Sequence, residues 1–189
     1  PALRKLRPFA YGVLLILLAQ IALGGWTSAN YAAMVCTRFP LCEAGWQTRF
    51  SMESIFHLPL GHDTYQYGVL PYEARMSIHI THRIGAAITF ISLLALLIVC
   101  WRFAVSTAMR RLILLLGFVL IMQVTLGVLN VYLHLPLFNA VAHNLVAAHL
   151  LMLMLVFIQQ LHARTQHSVA PIVNPIPNIS PRINNSTQW

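Results

Sequence analysis

Four apolar stretches, each long enough to cross a lipid bilayer, constrain this chain more than any other feature of its sequence. They span residues 9–26, 77–101, 112–133 and 137–161. The hydrocarbon core of a bilayer is about 30 Å thick, and roughly 20 helical residues cross it. Only 8% of the residues are charged and 58% are hydrophobic, whereas soluble domains carry roughly 25% charged residues. The sequence therefore predicts an all-α integral membrane protein with a bundle of four transmembrane helices.

The charged residues are unevenly distributed between the two ends of these helices. The chain has 12 Lys and Arg residues against 4 Asp and Glu, which gives a net charge of +8. Seven basic residues lie on the side of the two termini: Arg4, Lys5, Arg7, Arg102, Arg110, Arg111 and Arg164. The other side has three arginines but also all four acids. The positive-inside rule predicts that both termini are cytoplasmic, and it explains the net charge without nucleic acid as a partner.

Three further segments complete the predicted organisation. Residues 1–8 form a cytoplasmic basic segment, and residues 27–76 form one large extracytoplasmic loop, a length that is usually functional. Within that loop, residues 51–58 are compatible with a short amphipathic helix. Residues 162–189 are rich in Pro, Asn and Ser, which predicts a disordered cytoplasmic tail. The first residue is Pro1 and no signal peptide follows it, which suggests a piece of a longer protein.

A short repeat relates the first two predicted helices to the last two. The sequences QIALG (20–24) and QVTLG (123–127) share the pattern Gln-x-x-Leu-Gly. On the helix that follows each of them, HRIGAA (82–87) and HNLVAA (143–148) share His-x-x-x-Ala-Ala. Both patterns occur twice in the same order, which predicts a pseudosymmetric bundle with equivalent histidines facing each other.

The two repeated histidines are candidate axial ligands of a haem iron. At about 1.5 Å per residue, His82 and His143 both lie roughly 10 Å below the outer surface. Two neutral imidazoles at matched depth suit the two axial positions of the iron. Small residues beside them leave room for a flat porphyrin: Gly85, Ala86, Ala140 and Ala147. The alternative is that each histidine is a buried polar residue bonded to a neighbouring helix.

Three polar residues near these histidines have two interpretations each. Arg83 lies in an apolar segment, where an unpaired charge costs several kcal/mol. Its predicted partner is a haem propionate, which arginine binds in bidentate fashion, or a loop acid such as Glu73. Gln20 and Gln123 either join helices through hydrogen bonds and close glycine contacts, or support a haem ligand.

The remaining histidines are weaker candidates. His79 lies one turn before His82, near enough to contact a cofactor pocket, whereas His149 points about 120° away from His143. His134 lies near the hairpin between the last two helices, and His57 and His62 lie in the loop; all three are expected at the interface rather than as ligands.

The cysteines of the large loop predict a disulfide. Cys36 and Cys42 lie outside the cytoplasm, where oxidising conditions allow a disulfide to persist. Two free thiols, or a metal site shared with loop histidines, are the alternatives. Cys100 is expected to be an inert apolar residue.

Three segments resemble the second half of bacterial haem A synthases: LGGWTSANYAAMVCTRFPLC (23–42), IHITHRIGAA (78–87) and QVTLGVLNVYLHLPLFNAVAHNLVAA (123–148). The resemblance covers residues 8–160. It implies half of a pseudosymmetric eight-helix oxidoreductase of the bacterial inner membrane, which converts the C8 methyl of haem O to a formyl group and so makes haem A for terminal oxidases. It also implies that His82 and His143 hold haem b in this half.

The resemblance further implies that this half contributes no catalytic residue. In that family the amino-terminal half binds haem O and carries a glutamate in the motif E-x-x-H-R. Here His79 takes the place of the glutamate, and no predicted helix contains Asp or Glu. Partners would be haem O in the missing half, an electron donor and haem O synthase. A self-contained b-type cytochrome in quinol electron transfer, and a haem-free transporter or assembly factor, remain open.

Overall fold

A computed structural model describes residues 5–166 of the chain, which form six α-helices. These are α1 Arg7–Ala29, α2 Trp46–Arg49, α3 Met52–Ile55, α4 Tyr72–Phe103, α5 Thr107–Tyr132 and α6 Leu137–Gln166. The long helices α1, α4, α5 and α6 are each long and apolar enough to cross a membrane. The predicted all-α fold with four transmembrane helices is confirmed.

The helices differ from the predicted spans mainly at their ends. Helix α4 begins at Tyr72 instead of residue 77, with Pro71 at its N-cap. Glu73 therefore lies in the first turn of α4, and Glu53 lies in α3. The expectation that no helix contains an acidic residue was wrong, since the first turn of a helix favours a negative charge. Helix α6 continues to Gln166, while residues 1–4 and the predicted tail from 167 onward lie outside the described residues.

The four long helices form a closed square. Helices α1 and α5 each pack against both α4 and α6, so α4 and α6 occupy diagonal corners. The most extensive contacts join α1 to α4 and α5 to α6, which are the two pairs related by the sequence repeat. Their shared core is almost entirely aliphatic and includes Leu17, Leu93, Leu96, Leu116, Leu150 and Phe157. The repeat therefore corresponds to two helix pairs around one core.

The beginning of α1 and the end of α6 meet at one end of the bundle. The Arg7 guanidinium donates to the carbonyls of Leu161 and His162, each at 3.4 Å, where the helix dipole favours a cation. The connection between α4 and α5 lies at the same end because the helices alternate in direction. There Arg110 donates to the Ala104 carbonyl at 3.0 Å and covers the Trp101 ring.

The opposite end carries the large loop and the hairpin between α5 and α6. The short helix α3 packs its buried Ile55 against Ala74 and Ile78 of α4, and the Trp26 indole donates to the Ile55 carbonyl at 2.8 Å. The hairpin turns through His134 and Leu135, whose φ angles are 58° and 60°. The loop is thus fixed to α1 and α4 as a cap over this end.

We expect the two ends of the bundle to be accessible from opposite sides of the membrane. Cysteines introduced as Asp63→Cys in the large loop and Val105→Cys between α4 and α5 are both at exposed positions. A membrane-impermeant thiol reagent applied to spheroplasts should label the first and not the second. The unaltered chain is the control, since Cys36 and Cys42 are paired and Cys100 is buried. Labelling of Val105→Cys alone would reverse the predicted orientation.

Candidate functional site

Each repeated histidine is held by the repeated glutamine of the neighbouring helix. Gln20 Nε2 of α1 lies 3.0 Å from Nδ1 of His82 and also donates to the His82 carbonyl at 3.0 Å. Gln123 Nε2 of α5 lies 3.3 Å from Nε2 of His143. These bonds join neighbouring helices and also contact the candidate ligands, so they agree with both interpretations of the glutamines. The Gln-x-x-Leu-Gly motif was therefore a signal for the site as well as for helix packing.

The glycine of the same motif gives each imidazole its space. A Cβ atom at Gly24 would lie 3.2 Å from Cε1 of His82, and one at Gly127 would lie 3.1 Å from Cε1 of His143. Gly85 has a different role from the predicted one, because a Cβ there would collide with the side-chain oxygen of Gln20. A larger side chain at Gly24 or Gly127 would therefore displace the imidazole beside it.

One ring nitrogen of each histidine has no partner among the residues that the structure describes. Nε2 of His82 makes no hydrogen bond, since Gln20 contacts only the other nitrogen. Nδ1 of His143 is buried and has no hydrogen-bond partner. A buried unpaired nitrogen such as Nδ1 of His143 is costly unless a ligand completes it. Both imidazoles are therefore available to a metal through one nitrogen, and either ring nitrogen can serve.

The number of histidines at this site matches what a haem iron takes from a protein. His82 lies on α4 and His143 on α6, the helices at diagonal corners of the bundle. Within residues 5–166 no group of three or more His, Cys, Asp or Glu side chains could hold a metal ion. A haem iron needs only two protein ligands because the porphyrin supplies the other four nitrogens.

Arg83 binds the disulfide loop rather than a loop acid. Its Nη2 donates to the Cys36 carbonyl at 2.7 Å, and its Nη1 contacts three more carbonyls, those of Arg38, Pro40 and Leu41. Its Nε donates to Nε2 of His79 at 2.8 Å. Of the two predicted partners, the salt bridge to Glu73 or another loop acid is not formed, because several oriented backbone carbonyls solvate the charge of Arg83 instead.

His79 belongs to the same network. Because the Arg83 Nε can only donate, Nε2 of His79 accepts, and Nδ1 then donates to the Ala32 carbonyl at 2.7 Å. His79 is 5% exposed. Both of its ring nitrogens are engaged, so it ties α4 to the loop and is not free to bind a metal.

The loop closed by the Cys36–Cys42 disulfide lies over the end of the bundle that carries the hairpin between α5 and α6. The Phe39 ring stacks on Tyr132 at the end of α5, with 5.3 Å between ring centroids. The guanidinium carbon of Arg83 also lies over the Phe39 ring, 4.8 Å from its centroid. The Thr37 hydroxyl donates to the Glu43 carboxylate and, with Arg38 beside it, holds the pKa of Glu43 below its ordinary value. The disulfide excludes a thiolate metal site here.

The other histidines lie away from the pair. His149 is exposed and bonds through Nδ1 to the Leu145 carbonyl of its own helix at 2.8 Å. His134 is in the exposed hairpin turn, and His57 and His62 are exposed in the loop. None of them contacts the two glutamine–histidine pairs.

Comparison with known proteins gives the family of this chain. Residues 1–155 match the COX15-CtaA family, described as cytochrome oxidase assembly protein. The chain belongs to the COX15-CtaA family. The match includes the disulfide cysteines Cys36 and Cys42 and the two glutamine–histidine pairs of this COX15-CtaA chain.

Curated relatives of this COX15-CtaA chain are named heme A synthase. The protein of Shewanella oneidensis is 51% identical over 152 residues, which are 80% of this chain and 45% of that protein. The protein of Neorickettsia sennetsu is 28% identical over 140 residues, 74% of this chain and 38% of that protein. The chain thus spans less than half of the length of these relatives. No solved structure matches it.

Proposed function

We propose that this chain is the haem b-binding half of a haem A synthase, with His82 and His143 as the two axial ligands. Three findings support this proposal: the chain belongs to the COX15-CtaA family, its curated relatives are named heme A synthase, and it spans less than half of their length. One observation carries it. Two equivalent histidines on diagonal helices each keep one ring nitrogen unpartnered while the other nitrogen contacts a glutamine.

The residues around the pair fit a haem in three respects. Gly24 and Gly127 let each imidazole pack closely against the neighbouring helix, the site lies among apolar helices, and the disulfide loop covers its outer end. When bound, haem b supplies reversible storage of one electron. This chain orients the two imidazoles through the glutamines and excludes water from the aliphatic core.

Arg83 has a smaller part in cofactor binding than the sequence predicted. A guanidinium has five N–H groups. One is bonded to His79, two are engaged by the carbonyls around Nη1, and one is bonded to Cys36. A haem propionate would thus be bound through the one remaining N–H, while the main work of Arg83 is to hold the loop.

In this proposal the reaction itself takes place outside the described residues. Haem O would bind to the remaining half of the protein, where an oxidant would convert its C8 methyl to a formyl group, and His82 and His143 would hold a haem b able to exchange electrons with a donor. Haem O synthase supplies the substrate. The protein then resides in the bacterial inner membrane with this chain's termini in the cytoplasm.

The proposal is tested by expressing the complete gene product together with haem O synthase. We expect the purified protein to show the pyridine haemochrome spectrum of haem b, and the cells to accumulate haem A. A protein that contains haem b and oxidises quinol without forming haem A would be a b-type cytochrome. A colourless protein that leaves haem O unchanged would instead indicate a transporter or assembly factor.

A further inference from the structure

The two glutamines that contact the histidines both have an oxygen without a partner. Oε1 of Gln20 and Oε1 of Gln123 are buried and make no hydrogen bond to any part of the chain that the structure describes. Buried polar atoms are rarely unsatisfied in folded proteins, and each such case needs an explanation. Here the same atom is unsatisfied at both repeat-related positions. One shared cause accounts for both atoms, whereas an isolated packing defect would account for only one.

The placement of the two carboxamides fits only one proton position on each imidazole. An amide nitrogen donates and cannot accept. Gln20 Nε2 therefore donates to Nδ1 of His82, and Gln123 Nε2 donates to Nε2 of His143. Each ring nitrogen next to its glutamine is thus unprotonated, and the proton resides on the nitrogen that faces away.

Binding of a metal reverses this arrangement. A neutral imidazole that binds iron through the outward nitrogen must carry its proton on the other nitrogen, the one beside the glutamine. That N–H then requires an acceptor, and histidine ligands usually donate it to an oxygen of the protein. The unsatisfied Oε1 atoms belong to the same two carboxamides, so turning each carboxamide over places an acceptor beside the new N–H.

We propose that Gln20 and Gln123 are paired positioning residues that accept a hydrogen bond from the iron-bound imidazoles of His82 and His143 through Oε1, and so set the electron richness of both axial ligands. This inference rests on the proposed function. The two glutamines differ in how firmly they are held. Gln20 also donates to the His82 carbonyl and is confined by Gly85, whereas Gln123 has no second bond, so Gln123 turns over at lower cost.

The test compares Gln20→Leu and Gln123→Leu with Gln159→Leu, an exposed glutamine of α6, in the complete haem-loaded protein. Loss of a hydrogen-bonding partner of a metal-bound histidine typically weakens metal binding 10- to 100-fold. The imidazole also becomes a poorer donor, which disfavours ferric iron. A tenfold loss of ferric relative to ferrous affinity raises a one-electron midpoint potential by about 59 mV. We expect such a rise, with lower haem retention, in both variants and no change in Gln159→Leu.

The near-isosteric variants Gln20→Glu and Gln123→Glu keep the inference testable if the leucine variants do not fold. They retain an acceptor of greater strength, so we expect the midpoint potential to fall, opposite to the leucine variants. A purely structural role would not give shifts of opposite sign. Haem-loaded variants with native potentials and spectra would overturn this inference alone. A native protein that binds no haem would overturn both the inference and the proposed function.

Discussion

Replacing either His82 or His143 by alanine is expected to remove most of the bound haem and the six-coordinate low-spin spectrum. Each variant leaves one imidazole and a water in place of two imidazoles. The loss should exceed the 10- to 100-fold effect that is typical of residues supporting a metal ligand. The measurement is haem content per mole of purified protein, from the pyridine haemochrome, together with the absorption spectrum of the reduced and oxidised forms.

His149→Ala is the matched control for this experiment. His149 lies on the same helix as His143, but it is exposed and bonded to its own helix backbone, so we expect native haem content and spectrum. If His149→Ala abolishes the haem spectrum while His143→Ala leaves it intact, the assigned ligand on α6 is incorrect. If both are native in spectrum, the second ligand lies elsewhere.

Replacing Arg83 by methionine is expected to release the disulfide loop from the bundle. Methionine keeps much of the apolar stem but removes every donor, so four carbonyls and Nε2 of His79 lose their partner. Hydrogen bonds to a charged group contribute about 1.5 to 3 kcal/mol each, and exposed carbonyls regain part of that from water. We expect a loss of about 3 kcal/mol in the free energy of unfolding of the loop. Thermal unfolding in detergent and the rate of proteolysis within residues 30–71 measure it.

Arg38→Met provides the comparison within the same loop. Arg38 forms an exposed ion pair with Glu43, in which the arginine side chain is 75% accessible. Exposed ion pairs contribute about 0 to 1 kcal/mol, so this variant should remain near native in both measurements. Equal effects of the two substitutions would contradict the assignment of Arg83 as the residue that holds the loop.

Much of the architecture was predictable because it depends on local composition. A bilayer requires about twenty apolar residues for each crossing, so four long apolar stretches specify four helices without knowledge of their packing. The repeat of Gln-x-x-Leu-Gly and His-x-x-x-Ala-Ala likewise indicated two related helix pairs and selected His82 and His143 from nine histidines.

The ends of the helices were less predictable. Hydropathy falls where a helix leaves the membrane, although its backbone hydrogen bonds continue. Helix α4 therefore extends to Tyr72 and includes Glu73, beyond the apolar stretch.

The sequence by itself determined the membrane fold, the number of candidate crossings and the repeat that relates His82 to His143, since apolar length and an internal repeat are properties of consecutive residues. Only the tertiary structure decided what those histidines and Arg83 contact. Gln20 and His82 are far apart in the chain, and so are Arg83 and the Cys36–Cys42 loop. Hydrogen bonds between such residues depend on how helices and loops are positioned in space, and an arginine charge can be solvated by backbone carbonyls that any sequence would provide.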